Sequence, residues 1–208
     1  MKIDTVILSS NDNPNYIQFW PIVSEAWSLM GVEPILIYTG EKKLKLKGNV
    51  INYFSKNMDS SFVAQNIRIL YPSLLDGSTC LVSDIDNLPL SKKYFVNSVL
   101  DINDDSFIIY RPDACPPNMI SMMWNAASSS TWKEIFSIDS ENNLEKYLRK
   151  WYTKKYTIEG TAWYTDQIKL RKYVNKFSKK NKSRIVELDD AEMGFFRFNR
   201  NRLEKHFN

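Results

Sequence analysis

Strand-like runs alternate with helix-like segments through the first half of the chain, and this order constrains the fold more than any other feature. Short runs rich in β-branched residues lie at 4–10, 33–40, 49–54 and 78–86. Helix-like segments lie between them at 16–31 and 59–75. Strands that alternate with helices form right-handed crossovers, so we predict an α/β fold with a mostly parallel sheet flanked by helices.

The second half continues the alternation with shorter elements. We predict strands at 106–112, 118–129 and 184–189, and helices at 91–100, 130–138, 142–156 and 165–177. Thr165 is the expected cap of the last helix. The chain has no internal repeat, low-complexity stretch or linker, so residues 1–208 form one predicted domain, which can also be part of a longer polypeptide.

Composition excludes several classes of protein. A net charge of +4 with scattered lysines is far from the composition of a nucleic-acid-binding protein. Two cysteines, Cys80 and Cys115, do not support a disulfide framework. No stretch approaches the roughly 18 apolar residues of a membrane span, and the N-terminus does not resemble a signal peptide. We therefore expect a soluble, monomeric, cytoplasmic protein.

The fourth strand-like run ends in two carboxylates. In "LVSDIDNLPL", residues 81–90, Asp84 and Asp86 follow an apolar run and stand one residue apart. Like charges this close destabilise each other unless a positive charge lies between them. On the irregular turn after a strand, both can face one divalent cation, because Mg²⁺ and Mn²⁺ prefer oxygen ligands. The simpler alternative is a polar turn in which both acids face water.

The "LVSDIDNLPL" stretch, which follows "VAQNIRILYPSLL", resembles the DxD region of GT-A fold glycosyltransferases. The resemblance extends to "FWPIVSEAWSLMGVEPILIYTG" near the N-terminus and to "WYTDQ" at 163–167, and the chain is similar in size to small transferases of large algal (chlorella) viruses. It implies a Rossmann-like GT-A sheet, with a nucleotide-binding half at 1–90 and an acceptor and sugar-binding half at 91–208. For a viral protein, the implied location is the host-cell cytoplasm.

The resemblance also implies an activity: transfer of a hexose or deoxyhexose from a nucleotide-diphosphate sugar, with UDP the expected nucleotide, to a glycan or protein-linked hydroxyl. Mn²⁺ or Mg²⁺ is the implied cofactor, held by Asp84, Asp86 and the single histidine, His206. Residues implied to bind the nucleotide and donor sugar are Ser9, Ser10, Asn11, Arg68, Ser83, Asp84, Ile85 and Lys205.

Acceptor chemistry is expected around the "WYTDQ" segment. Asp166 stands at a helix start, where we expect an accessible carboxylate that removes a proton from the acceptor hydroxyl if the enzyme inverts configuration. The other candidate sugar or acceptor contacts are Trp124, Asn125 and Gln167. As alternatives, Asp166 is a helix-start residue stabilised by the helix dipole, and Trp124 is a core residue.

Two other functions remain open from the sequence. A sugar-nucleotide nucleotidyltransferase would share the sheet and the metal, but such enzymes usually carry a glycine-rich loop after the first strand, and "SSNDNPN" contains no glycine. A non-catalytic module that binds nucleotide sugars is the second alternative. The absence of a Walker-type phosphate loop disfavours an NTPase.

Overall fold

The computed structural model describes residues 1–195 and contains a seven-stranded mixed sheet. The strands are β1 (Thr5–Ser10), β2 (Glu33–Tyr38), β3 (Asn49–Asn52), β4 (Thr79–Ser83), β5 (Phe107–Ile109), β6 (Trp124–Ser128) and β7 (Ile185–Glu187). Their order across the sheet is β3-β2-β1-β4-β6-β5-β7. Only β6 runs antiparallel to its neighbours β4 and β5 among the described strands. The predicted α/β fold with a mostly parallel sheet is confirmed.

The centre of the sheet brings together two strand ends that lie far apart in the sequence. Strand β1 pairs in parallel with β4, with Ile7 opposite Val82. The carboxyl ends of both strands therefore reach the same edge, which is where α/β sheets bind ligands. As a result, Ser10 and Asp84 border one crevice.

Seven α-helices occur in the described part of the chain. They are α1 (Pro14–Ile17), α2 (Trp20–Leu29), α3 (Ser60–Leu70), α4 (Lys92–Phe95), α5 (Ser129–Phe136), α6 (Glu141–Trp151) and α7 (Thr165–Ser178). Short 3₁₀ segments follow α3 at Tyr71–Leu74 and α4 at Asn97–Val99, and another spans Lys182–Arg184. None of the helices in residues 1–195 is long and apolar enough to cross a membrane.

Helices α3, α5, α6 and α7 cover one face of the sheet, and α1, α2 and α4 cover the other. On the first face the core includes Phe62, Trp132, Phe136, Leu148 and Leu170. On the second face it includes Trp20, Val23, Trp27, Phe95 and Tyr110. The sheet is thus covered on both sides, and every residue of the central strands β1 and β4 is buried.

The structure corrects the predicted helix at 16–31. It is two helices, α1 and α2, and the buried side of α2 is formed by Trp20, Val23 and Trp27. Phe19 and Ile22, two other large apolar residues of this segment, are exposed. The break follows from Pro21, which has no amide hydrogen and therefore occupies the first turn of a new helix.

Several boundaries in the second half also differ from prediction; for example, the helix predicted at 142–156 spans Glu141–Trp151. The predicted strand at 118–129 forms β6 only over Trp124–Ser128, and the residues before it lie in a loop. Thr165 is the first residue of α7 rather than its cap; its hydroxyl donates a hydrogen bond to the Ala162 carbonyl at 2.6 Å. The preceding turn, with Glu159 and Ala162 at positive φ, sets this helix start.

Candidate functional site

A cavity of about 580 Å³ lies at the carboxyl edge of β1 and β4. That volume is within the usual range for small-molecule sites. Residues from both halves of the chain line it: Ser9, Ser10, Asn11, Asn13, Tyr16, Ser61, Ala64, Gln65, Arg68, Asp84, Ile85, Asp86, Ala114, Cys115, Pro116, Met119, Ser121, Met122, Met123, Ile158, Trp163, Tyr164, Asp166 and Gln167. Most of the sequence-predicted site residues therefore converge on one cavity.

A buried arginine joins two of the cavity carboxylates. Arg68, in the last turn of α3, donates from Nη1 to Asp84 and from Nη2 to Oδ2 of Asp166 at 2.9 Å. Its Nε donates to the Gln65 carbonyl at 3.2 Å. Burial tends to lower the pKa of Arg68, but the two carboxylates outweigh it and raise that pKa above its usual value. The guanidinium is therefore a fixed positive charge on the cavity floor.

Asp166 is not the accessible carboxylate predicted from the sequence. Its side chain is 2% exposed, and Oδ1 accepts from the Gln167 amide at 2.8 Å while Oδ2 accepts from Arg68. Burial raises the pKa of Asp166, and the charge of Arg68 opposes that rise. The physical reason for the burial is the packing of α7 against α3, which carries Asp166 onto the buried guanidinium.

Asp84 and Asp86 lie on the turn that follows β4, as the sequence predicts. The Asn87 amide closes this turn on the Asp84 carbonyl at 3.3 Å. The Asp86 side chain is exposed at the surface, but neighbouring atoms of the cavity displace part of the water around it. This loss of solvation is the main cause that raises the pKa of Asp86, and repulsion from Asp84 raises it further. A divalent cation would relieve that repulsion, and two carboxylates are suitable ligands for Mg²⁺ or Mn²⁺.

The third predicted metal ligand, His206, and the predicted phosphate contact, Lys205, lie outside the described residues. Within residues 1–195, no three His, Cys, Asp or Glu side chains come together as a metal-binding group. The two carboxylates of the turn therefore fit a cation as a partial ligand set, which substrate oxygens or a further side chain would complete.

The residues at the end of β1 line the cavity, but their side chains already have partners. Ser9 donates to the Ala64 carbonyl at 2.5 Å, and Ser10 donates to the Asn11 carbonyl at 3.0 Å. Asn11 donates from Nδ2 to the hydroxyls of Ser60 and Ser61, at 3.1 and 3.0 Å. These bonds tie β1 to the start of α3, so the three residues shape the cavity rather than present free donors to it.

Three predicted contacts lie away from the cavity. Ser83 is fully buried in β4, and its hydroxyl donates to the Asp84 carbonyl. Asn125 is also fully buried and donates to the Ser121 carbonyl at 2.7 Å. Trp124 packs against Phe95, with ring centroids 4.9 Å apart, in the core on the α2 side of the sheet. Trp124 is therefore a core residue, which is the alternative that the sequence analysis gave for it.

Sequence reasoning missed Tyr16, which lines the cavity from α1. Burial raises the pKa of Tyr16, and the charges of Asp86, Glu159 and Asp84 add to the rise. The tyrosine is therefore within electrostatic reach of the acidic turn and of Glu159 in the loop that precedes α7. Its place directly after the "NDNPN" turn was an available signal, because that turn follows β1 at the ligand-binding edge.

No family model and no curated protein matches the chain. Several solved structures do match the chain. The galactosyltransferase LgtC in complex with donor and acceptor sugar analogs aligns with a TM-score of 0.50 at 10% identity, over 89% of this chain and 73% of that one. An active-site mutant of LgtC aligns with a TM-score of 0.51 at 10% identity, over 97% and 81%.

The apo form of the glycosyltransferase GlyE from Streptococcus pneumoniae TIGR4 aligns with a TM-score of 0.51 at 13% identity, over 91% of this chain. The match spans only 46% of the GlyE chain. The chain has the GT-A fold. On this GT-A sheet, the cavity and its acidic turn lie beyond the carboxyl ends of the central strands, where α/β folds bind ligands.

Proposed function

We propose that the protein is a divalent-metal-dependent glycosyltransferase that uses a nucleotide-diphosphate sugar. The observation that carries the proposal is the acidic turn: Asp84 and Asp86 face a cavity of about 580 Å³ beside the buried Arg68. The matched solved structures, LgtC and GlyE, are themselves glycosyltransferases, and this supports a transferase over the other functions that the sequence left open. UDP is the proposed nucleotide, and a hexose or deoxyhexose the proposed sugar.

Asp84 and Asp86 would hold the cation, and His206 is proposed as a further ligand. When bound, Mn²⁺ or Mg²⁺ supplies charge neutralisation to a departing nucleoside diphosphate. Arg68 fixes the orientation of Asp84 through a charge-assisted hydrogen bond. Lys205 is proposed to contact the diphosphate. The chain's own contribution is therefore a preorganised set of charges around the diphosphate position.

The nucleoside is proposed to bind between the end of β1 and α1. Tyr16 offers a flat ring there for a base, and stacking of a base on an aromatic ring contributes about 1–3 kcal/mol. Ser9, Ser10 and Asn11 keep the cavity wall in shape, because their side chains are bonded to neighbouring groups. Ile85 contributes a buried apolar surface beside the carboxylates.

Asp166 and Gln167 are proposed to serve the acceptor, a hydroxyl of a glycan or a protein-linked sugar. Asp166 lines the cavity although both its oxygens are bonded. A role as general base requires one oxygen to exchange its present partner for the acceptor hydroxyl, and its raised pKa makes it a stronger base than a solvated aspartate. Gln167, the next residue in the chain, also lines the cavity.

A thermal-shift panel tests the proposed function. UDP-, GDP-, CDP- and dTDP-sugars are added with Mn²⁺ or with EDTA. A ligand at a hundred times its Kd stabilises the folded state by about 2.7 kcal/mol, which for a domain of this size raises Tm by roughly 5–10 °C. We expect this shift for UDP-sugars in Mn²⁺ and a much smaller one in EDTA.

Product analysis then separates the three functions. A glycosyltransferase releases UDP from a UDP-sugar, by slow hydrolysis even without an acceptor. A nucleotidyltransferase instead produces pyrophosphate from a nucleoside triphosphate and a sugar phosphate. Binding without any released product identifies a non-catalytic module. The proposal would be overturned if no nucleotide sugar in the panel gave a metal-dependent shift in Tm.

A further inference from the structure

The cavity has two halves of unlike chemistry. The half at the strand ends is polar and charged, with Arg68, Asp84 and Asp86. The other half is apolar and comes from two connecting segments, at 114–123 between β5 and β6 and at 158–164 before α7. We call the apolar half the methionine wall; its members are Ala114, Cys115, Pro116, Met119, Met122, Met123, Ile158, Trp163 and Tyr164.

We propose that the methionine wall binds an apolar aglycone, so that the acceptor is a sugar linked to an aliphatic group rather than a free sugar. This inference rests on the proposed glycosyltransferase function, since it assigns the acceptor of the same site. Methionine side chains are flexible and polarisable, and they adapt to apolar ligands of varied shape. A charged half beside an adaptable apolar half suits an amphipathic acceptor, whose sugar faces the carboxylates.

The wall is anchored to the helix that carries the proposed acceptor residues. The Ile120 amide donates to the Gln167 carbonyl at 3.2 Å, and Nε of Arg171 donates to the Met119 carbonyl at 3.0 Å. Both bonds join the segment at 114–123 to α7, two turns of which hold Asp166, Gln167 and Arg171. An aglycone on the wall would therefore place its sugar in a fixed relation to Asp166.

One thioether of the wall is also held in place. Nη1 of Arg111 contacts the Met123 sulfur at 3.2 Å. The one hydroxyl of this segment that lines the cavity, Ser121, is 8% exposed and accepts a hydrogen bond from the Met123 amide at 3.2 Å. Ser121 therefore exposes little of its side chain, and the surface that the wall offers to a ligand is chiefly carbon and sulfur.

The opposite rim leaves apolar surface in contact with solvent. Ile158 is 57% exposed and Tyr164 is 49% exposed, although both line the cavity. Removing such surface from water favours binding in proportion to the area covered. A free sugar covers it poorly because its hydroxyls need water or polar partners. An aliphatic chain covers it without leaving polar groups unpaired.

Methionine-methyl NMR tests the inference directly. The chain contains seven methionines, so ¹³C-methyl labelling gives few signals, which Met→Leu variants can assign. The full chain, with UDP and Mn²⁺, is titrated with methyl and octyl β-D-galactoside below the micelle concentration. We expect Met119, Met122 and Met123 signals to shift, while those of Met30 and Met58, which lie in other parts of the core, stay in place.

The affinities give the second readout. Each methylene that is fully buried tightens binding by about fourfold. Because the chain lies on an open wall, we expect octyl β-D-galactoside to bind at least about tenfold more tightly than the methyl glycoside. The double variant Met119→Gln/Met123→Gln should lose most of this preference. The control variant Leu90→Gln, at an exposed residue outside the cavity, should keep it.

Equal affinity for the two galactosides, or methionine shifts only outside the wall, would overturn the inference. A UDP titration in the same samples separates its failure from that of the proposed function. Metal-dependent UDP binding without an alkyl preference refutes the apolar acceptor and leaves the transferase proposal intact. No UDP binding in Mn²⁺ refutes the transferase proposal and, with it, the assignment of the wall to an acceptor.

Discussion

Replacement of Arg68 by methionine should destabilise the protein strongly. The arginine side chain is 10% exposed and pairs with Asp84 and with Asp166, whose own side chain is 2% exposed. Methionine fills a similar length but leaves Asp166 as a buried carboxylate without its cation. Removing one partner of a buried ion pair typically costs about 3–5 kcal/mol. We expect a loss of that order in the free energy of unfolding at pH 8.

The loss should depend on pH in a defined direction. Burial raises the pKa of Asp166, and Arg68 opposes the rise. Without Arg68 the folded-state pKa should rise further above the unfolded value of about 3.9. A carboxyl group with a raised folded-state pKa contributes stability that is present at low pH and lost as pH rises through that pKa. The deficit of Arg68→Met should therefore be largest at pH 8 and smaller at pH 5.

Urea denaturation at pH 8 and pH 5 measures both effects. The double variant Arg68→Met/Asp166→Asn removes the buried charge together with its partner, so it should recover much of the lost stability. Arg149→Met is the matched control, because Arg149 is 51% exposed and pairs with Glu145 at the surface. That variant should lose less than about 1 kcal/mol. The reasoning would be refuted if Arg68→Met were as stable as this control. It would also be refuted if Arg68→Met were equally destabilised at both pH values.

Three further variants test other parts of the site. Asp166→Asn should lower acceptor-dependent kcat by about 10²–10⁴-fold if Asp166 is the base, with UDP-sugar affinity retained; full activity would remove it from the chemistry. His206→Ala should weaken UDP binding in Mn²⁺, and unchanged calorimetric affinity would exclude it as a ligand. Asn11→Ala should cost about 0.5–1.5 kcal/mol in urea denaturation, because two half-buried serine hydroxyls lose their donor; wild-type stability would show that the bonds do not matter.

The sheet and the position of the acidic turn were predictable because they depend on local patterns. Apolar runs and helical spacing alternate clearly as far as β4, and parallel strands bring the ends of β1 and β4 to one edge. The turn at Asp84 was visible from two acids after an apolar run. These signals come from neighbouring residues and need no knowledge of tertiary contacts.

Other parts of the site depend on contacts that local patterns do not contain. The bond between Arg68 and Asp166 joins residues 98 positions apart, so the burial of Asp166 was not apparent from its place at a helix start. The antiparallel β6 turns Trp124 toward the α2 side of the sheet, where it packs in the core. The three methionines of the wall were interpreted as part of the strand predicted at 118–129, because they precede β6 in one mostly apolar run.

Calorimetric titration of UDP with and without Mn²⁺ tests the central claim most directly. It compares the wild-type protein, Asp86→Asn and the control Asp101→Asn, whose carboxyl is exposed and outside the cavity. We predict that Mn²⁺ tightens UDP binding by at least about tenfold, or about 1.4 kcal/mol, in the wild type and in Asp101→Asn, and that Asp86→Asn loses this gain. Equal UDP affinity in Mn²⁺ and EDTA, or an undiminished gain in Asp86→Asn, would contradict the assignment of the acidic turn to a metal and nucleotide site.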